Sequence, residues 1–153
     1  MISTEMLRRY PFFAGLSESQ LRGIAMIAEE RTYPEKTVIF KEEEPAQYFY
    51  ILVSGDIELL YSGGGQGSVV NAYVGSVVQG EVFGFSALLE PYKMTTAARS
   101  EGPVSVIAID AHGLRAMCEV DPRLGYTIMT HLSMALAERL YATRTQLAVA
   151  KPA

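Results

Sequence analysis

Between residues 80 and 89 the chain reads Gly80-Glu81-Val82-Phe83-Gly84-Phe85-Ser86-Ala87-Leu88-Leu89. The stretch sits between two predicted strand regions, Val69 to Val78 before it and Thr95 to Ser100 after it. Gly80 marks a bend, because glycine adopts backbone conformations that other residues avoid. This stretch is therefore predicted to be an irregular insertion between strands.

Further short strands are predicted on both sides of it: Thr37 to Lys41, Tyr48 to Val53, Ile57 to Tyr61, and Val104 to Ile109. In the first of these, Val38 and Phe40 are expected on one face and Ile39 on the other. Ser54-Gly55-Asp56 is predicted to turn the chain so that the next strand returns, and residues 62–67 form a flexible hairpin tip. Many short strands broken by glycine turns indicate an antiparallel sandwich or roll.

Helices are predicted at both ends of the chain. A short helix covers Thr4 to Arg9, and Ser17 with Gln20 forms a capping box for a helix from Glu18 to Ala28. Near the other end, a helix over residues 111–120 precedes a long one, for which Asp121 is the N-cap and Pro122 the first residue. The predicted fold is mainly β with flanking α: an antiparallel double-stranded β-helix, or jelly-roll-like β-roll, with N-terminal helices and a long C-terminal helix.

Composition limits the function classes. The net charge of −4 argues against binding to a nucleic-acid backbone, and a single cysteine excludes an internal disulfide or a thiolate cluster. We find no signal peptide and no run of about 18 apolar residues, so a cytoplasmic protein is expected. The two histidines, His112 and His131, fall in helices, and no catalytic or metal-binding constellation is recognised, so we expect neither a metal ion nor an enzyme.

Four segments resemble one family: Leu7 to Ser17, Tyr50 to Ile57, Gly80 to Leu89, and the terminal helix pair. They are similar to the cyclic-nucleotide-binding domain, the sensor module of catabolite-activator-type regulators, kinase regulatory subunits and gated channels. The resemblance covers roughly residues 5–148. It implies one domain over 1–153, with helices in 4–28, a β-roll in 30–110 containing a phosphate-binding cassette at 80–100, and C-terminal helices in 111–148.

The resemblance also implies how such a cassette works. A short helix starting at about Gly84 presents free N–H groups to an anion. In the binding members, a glutamate after the second glycine takes the ribose hydroxyl, and an arginine about nine residues further pairs with the cyclic phosphate. Without gaps these positions fall on Phe85 and Met94. Because neither side chain can make those contacts, cyclic AMP or cyclic GMP is not expected in the usual pose.

The remaining anion-binding features are Ser86 and Ala87 at the helix start, the hydroxyls of Thr95 and Thr96, and the cation of Lys93. Arg99 is also near in sequence. The alternative is that Lys93 is a solvated loop lysine and Arg99 a charge on a strand face. The candidate site residues are therefore Gly84, Phe85, Ser86, Ala87, Lys93, Met94, Thr95 and Thr96.

The apolar character of the cassette leaves two interpretations open. Phe85, Met94 and their neighbours either line a site for a less polar ligand or have collapsed into the core. The first interpretation predicts an open cavity beside Gly84 to Leu88, and the second predicts one filled by Phe85 and Met94. A cryptic nucleotide site would instead bring Lys93 or Arg99 to the helix start.

The long helix carries an apolar stripe of Met129, Leu132, Leu136, Leu140 and Leu147. We expect a homodimer through helix 122–148, with Arg139 and Arg144 flanking a coiled-coil-like seam. Since the sequence ends at Ala153, we expect no helix-turn-helix after the long helix and no direct DNA binding. The predicted function is a stand-alone regulatory or sensor module with altered or lost nucleotide binding. The alternatives are a dimeric protein-interaction module and a non-standard cyclic-nucleotide binder.

Overall fold

The computed structural model describes residues 2–63 and 72–153. The α-helices in these ranges are α1 (Thr4–Arg8), α2 (Glu18–Met26), α3 (Ala111–Val120) and α4 (Pro122–Ala150), with 3-10 helices at Pro11–Phe13 and Phe85–Leu88. The strands are β1 (Ala28–Tyr33), β2 (Val38–Phe40), β3 (Tyr48–Ser54), β4 (Ile57–Tyr61), β5 (Ala72–Val77), β6 (Val82–Phe83), β7 (Ala97–Ser100) and β8 (Val104–Asp110).

The described strands form two four-stranded sheets, ordered β1-β8-β3-β6 and β2-β7-β4-β5. All pairings within them are antiparallel. In each sheet a strand from late in the chain lies between two early ones, so the chain winds repeatedly from one sheet to the other. This arrangement confirms the predicted antiparallel β-roll with helices at both ends.

The centre of the core lies on β3 and β8. Phe49 to Leu52 are four consecutive buried residues, and Val106 to Ile109 are four more. Continuous burial of this kind requires cover on both faces of a sheet. Leu21 and Ile24 of α2 and Leu114 of α3 belong to the same core. Each large apolar side chain that is fully buried contributes about 1.5–3 kcal/mol.

The helix α2 begins as predicted but ends early. Ser17 Oγ accepts a hydrogen bond from the Gln20 N–H, and the Gln20 side chain accepts one from the Ser17 N–H, which completes the capping box. The prediction that this helix continues to Ala28 is wrong, since Ala28 starts β1 opposite Ile109 of β8. The pairing of Ala28 with the buried strand β8 determines its conformation, although its spacing in the sequence is helical.

The predicted return of the chain after Gly55 is also wrong. The strands β3 and β4 lie in different sheets, so Gly55 carries the chain across the roll instead of closing a hairpin. Its φ is +94°, and a Cβ there would lie 2.6 Å from the carbonyl oxygen of Pro103. Only glycine fits this crossing without a steric clash.

One strand detail differs from the prediction. Val38 is 46% exposed whereas Phe40 is buried, because the register of β2 on β7 shifts between them. The predicted hairpin tip over 62–67 and the predicted strand region from Val69 reach beyond the described residues. Of these, residues 64–71 lie outside the described part of the chain, and the described strand β5 spans Ala72–Val77.

The helix α4 starts at the predicted signal. Asp121 accepts a hydrogen bond from the Leu124 N–H, and Pro122 occupies the first turn. The first half of α4 is anchored in the core by Leu124, Ile128 and Leu132. From Leu140 to Ala150 every residue is exposed, so the second half of α4 projects beyond the roll.

Candidate ligand site

The cassette begins where β6 leaves β3. Phe83 pairs with Tyr50 across the sheet, and Gly84 then turns with φ +75° into the 3-10 helix Phe85–Leu88. A Cβ on Gly84 would lie 3.1 Å from Tyr50 Cδ2 and 3.3 Å from the Tyr48 carbonyl oxygen. Both the backbone conformation and the crowding require glycine at this position.

The short helix that the sequence predicts is a single 3-10 turn. Its Ala87 N–H donates to the Gly84 carbonyl at 3.1 Å, and no side chain caps its start. Ser86 is half-buried and Ala87 is buried. The helix is held from the other side by Arg115 of α3, whose Nη1 donates to the Ala87 carbonyl oxygen at 2.6 Å.

The interior of the roll beside Gly84 is filled by the chain itself. The rings of Tyr50 and Phe83 stack at 4.9 Å with an interplanar angle of 14°, and Phe40 stacks against both. Met94 is 3% exposed, and its Cε lies 3.7 Å from where a Gly84 Cβ would be. Burial raises the pKa of Tyr50. A sugar and a phosphate would have to displace this apolar cluster.

Phe85 lies on a different side of the cassette from this interior. It is half-buried against α4, and the guanidinium carbon of Arg139 lies 5.7 Å from its ring centroid. One of the two interpretations of the sequence requires Phe85 and Met94 to fill the roll together. Phe85 does not do so. The structure combines both interpretations: Met94 belongs to a filled interior, whereas Phe85 lines an open cavity.

The remaining predicted residues do not converge on the 3-10 helix. Lys93 and Thr95 are exposed, and Thr96 is half-buried. The chain at Lys93 and Met94 runs against the turn before β3, with Met94 N–H donating to the Glu44 carbonyl at 2.9 Å. Arg99 pairs with Glu58 of β4, with 2.8 Å between Nη2 and Oε1. Arg99 is thus a strand-face charge, as one alternative holds.

The open cavity has a volume of about 650 Å³. Its walls come from the 3-10 helix Pro11–Phe13, the segment from Ser76 to Val82, Phe85, and one face of α4. The size falls within the range of small-molecule sites. It lies between the roll and α4, outside the filled interior described above.

Two polar side chains of α4 are fixed at this cavity. His131 Nδ1 lies 2.6 Å from the Phe12 carbonyl oxygen, and Arg139 Nη1 donates to the Ser76 carbonyl oxygen at 2.6 Å. Burial lowers the pKa of Arg139, and the charge of Glu81 partly offsets this effect. The Arg139 side chain folds back onto its own roll, and its predicted position beside a dimer seam stays a prediction.

Sequence reasoning missed this cavity, although a signal was available. Residues 131, 135 and 139 recur every four positions, which places them on one face of α4. That face continues the buried stripe of Ile128 and Leu132. A histidine and an arginine next to a buried stripe indicate a partly enclosed polar site.

The model of the cyclic nucleotide-binding domain matches residues 30–121. The chain belongs to this family. A putative cyclic nucleotide-binding protein from Geobacter metallireducens GS-15 has a similar crystal structure, with 42% sequence identity and a TM-score of 0.82. The match covers 92% of this chain and 99% of that one.

Curated relatives of this cyclic nucleotide-binding domain are larger proteins. The cAMP-activated global transcriptional regulator CRP of Pasteurella multocida is 28% identical over 74% of this chain and 52% of its own length. A putative potassium channel protein of Rhodopseudomonas palustris is 23% identical over 84% of this chain and 30% of its own. The chain thus spans 30% to 52% of the length of these two relatives.

Within the family, the two departures at Phe85 and Met94 now have a structural context. The resemblance assigns the phosphate-binding arginine position to Met94, whose Cε lies 3.7 Å from where a Gly84 Cβ would be. It assigns the glutamate position to Phe85, which lies against Arg139 of α4. In the described residues, no helix is long and apolar enough to cross a membrane.

Proposed function

We propose that this chain is a regulatory sensor module that does not hold a cyclic nucleotide in the family's usual pose. The observation that carries the proposal is the filled interior, in which Met94 and the stacked rings of Tyr50 and Phe83 occupy the space beside Gly84. Placing a cyclic phosphate there would bury a charge without a cationic partner, which costs several kcal/mol. The role is regulatory and not catalytic.

The names of the relatives support a regulatory role. They include a cAMP-activated global transcriptional regulator, a putative potassium channel protein and a cAMP-dependent protein kinase regulatory subunit. A shared fold does not transfer the ligand, which depends on the site itself. The ligand of this chain therefore has to be argued from its own residues.

We further infer that the module acts as a homodimer through α4. Met129, Leu140 and Leu147 are 40%, 49% and 59% exposed, and Leu136 is half-buried. Their spacing of seven, four and seven residues suits a coiled-coil seam. Leu132, which the sequence placed in this seam, is buried in its own core and drops out of it.

A thermal-shift titration with cyclic AMP and cyclic GMP tests the first proposal. Ligand at about 100 times its dissociation constant adds roughly 2.7 kcal/mol of stability, which raises the melting temperature by several degrees. We expect no shift with either nucleotide. A saturable shift with either one would overturn the proposal that the filled roll interior, here called the closed roll, has no room for a cyclic nucleotide.

A further inference from the structure

The cavity between the roll and α4 lies outside the filled roll interior, and the proposed function assigns it no role. Its walls are mainly apolar, with Phe12, Val78, Phe85 and Met134 among them. Apolar walls of this kind are typical of sites for small organic molecules, with orientation set by a few polar groups.

The principal polar group in the cavity is the guanidinium of Arg139. It has five N–H donors. One of its nitrogens bonds to the Ser76 carbonyl oxygen, and no carboxylate among the described residues lies within 4.0 Å to form an ion pair with it. The face of Phe85 covers another side of the same group. The guanidinium therefore keeps donors for a planar, charged acceptor.

The two nearby carboxylates do not satisfy this cation. Glu81 accepts a hydrogen bond from the Val78 N–H at 2.8 Å and so belongs to its own turn. Glu138 also lines the cavity and is exposed, and it does not lie within 4.0 Å of the Arg139 guanidinium. His131 is engaged at Nδ1 by the Phe12 carbonyl.

We propose that this cavity binds a small amphipathic carboxylate, with the carboxylate on Arg139 and the apolar body against Phe85 and Val78. A bidentate arginine–carboxylate pair uses the remaining guanidinium donors, and the apolar walls favour a hydrocarbon or aromatic body. The inference rests on the proposed function, because a closed roll leaves this cavity as the place where a ligand meets α4. A ligand bound in the cavity would contact both α4 and the roll and would stabilise their packing.

Isothermal titration calorimetry with octanoate, octanamide and octylammonium tests this proposal, since the three probes share a chain and differ in head-group charge. We expect octanoate to bind most tightly, and Arg139→Gln to weaken octanoate by at least about tenfold through loss of the charge-assisted pair. The matched control is Arg144→Gln, which removes an exposed arginine from the same helix. It should leave the affinity unchanged.

A second variant locates the site without touching the arginine. Ala14 is exposed at the cavity wall, so Ala14→Trp should obstruct the cavity and abolish octanoate binding. Equal binding of octanoate and octanamide would overturn the proposal. So would full octanoate affinity in Arg139→Gln or in Ala14→Trp.

This outcome is separable from that of the nucleotide titration. If octanoate does not bind and cyclic nucleotides cause no shift, the carboxylate site is refuted and the closed roll stands. If a cyclic nucleotide binds, the closed roll is refuted whatever octanoate does.

Discussion

The guanidinium of Arg115 joins α3 to the cassette, because its Nη1 atom donates to the Ala87 carbonyl oxygen at 2.6 Å. The same group lies over the ring of Tyr92, 4.0 Å from its centroid. Only Asp121 separates α3 from α4. Arg115 therefore links the cassette to the helix that directly precedes α4.

We expect Arg115→Ala to lower the free energy of unfolding by about 2 kcal/mol, through the lost charge-assisted hydrogen bond and the lost cation–π contact. Urea denaturation measures the change. Arg144→Ala removes an exposed arginine of α4 and should stay within about 0.5 kcal/mol of the parent protein. Equal losses in the two variants would show that the contacts of Arg115 contribute nothing specific.

Met94→Arg tests whether the roll interior is closed. Met94 is 3% exposed, so an arginine there would be buried without a carboxylate, and we expect a loss of about 3 kcal/mol or more. Met26→Arg is the control, since Met26 is 72% exposed. Thermal and urea unfolding compare the two. If Met94→Arg is as stable as Met26→Arg, the interior has room for a solvated cation and the closed-roll proposal fails.

Gly84→Ala tests the close approach of the cassette to β3. Gly84 and Gly80 both have positive φ, but only at Gly84 would a Cβ meet other atoms, the nearest being Tyr50 Cδ2 at 3.1 Å. Both alanine variants should lose about 1 kcal/mol from backbone strain, and Gly84→Ala should lose more because of the clash. Chemical denaturation of both variants gives the difference. An equal loss would mean that Tyr50 yields without cost.

Local signals made part of the fold predictable. The capping box of Ser17 and the Asp121-Pro122 start of α4 depend on residues within a few positions of each other, and both are confirmed. The strand that starts at Ala28 and the crossing at Gly55 depend on partners about 50 to 80 residues away, β8 and Pro103. Short-range patterns carry no information about such partners.

The site divides in the same way. The sequence alone identified Phe85 and Met94 as departures from the pattern that the family resemblance implies. It could not say that Met94 faces the roll interior while Phe85 faces α4. The 3-10 turn after Gly84 orients Phe85, whereas Met94 is placed by its backbone hydrogen bonds to Glu43 and Glu44, about 50 residues away. The sequence also could not predict that the Arg139 side chain turns toward the roll, since the Ser76 carbonyl that it binds lies on another element.

The loss of folding stability at acid pH should depend in part on the protonation of Asp121. The Gln20 side chain and the Leu124 N–H both donate to its carboxylate, and these hydrogen bonds lower the pKa of Asp121. A lowered pKa contributes stability above the ordinary value of about 3.9, and this contribution is lost as the pH falls through the native pKa. Asp121→Asn keeps an acceptor but cannot ionise. Its deficit against the parent protein should be full near neutral pH and shrink below about pH 4.

An NMR titration of the Asp121 carboxylate gives an independent reading. Gln20→Ala removes the side-chain hydrogen bond that lowers this pKa most, so the pKa of Asp121 should move upward. An unchanged pKa in that variant would assign the shift to the Leu124 N–H together with the N–H and charge of Arg123.

The exposed seam of α4 predicts how the dimer can be broken. Leu140 and Leu147 are 49% and 59% exposed and lie one heptad apart. Leu140→Glu with Leu147→Glu would place like charges opposite each other at the seam, so we expect a monomer. Light scattering after size-exclusion chromatography measures the mass, and circular dichroism checks that the fold is retained.

Tyr141→Glu is the matched control for that variant, because Tyr141 is 75% exposed but lies off the heptad positions of the seam. A helix with 3.6 residues per turn places Tyr141 about 100° from Leu140 around the axis. A mass that stays dimeric in Tyr141→Glu and becomes monomeric in the double variant assigns the interface to one face of α4. A parent protein that is monomeric at every concentration, or a dimeric double variant, would remove α4 as the dimer contact. The projecting half of α4 would then need a partner other than a second copy of this chain.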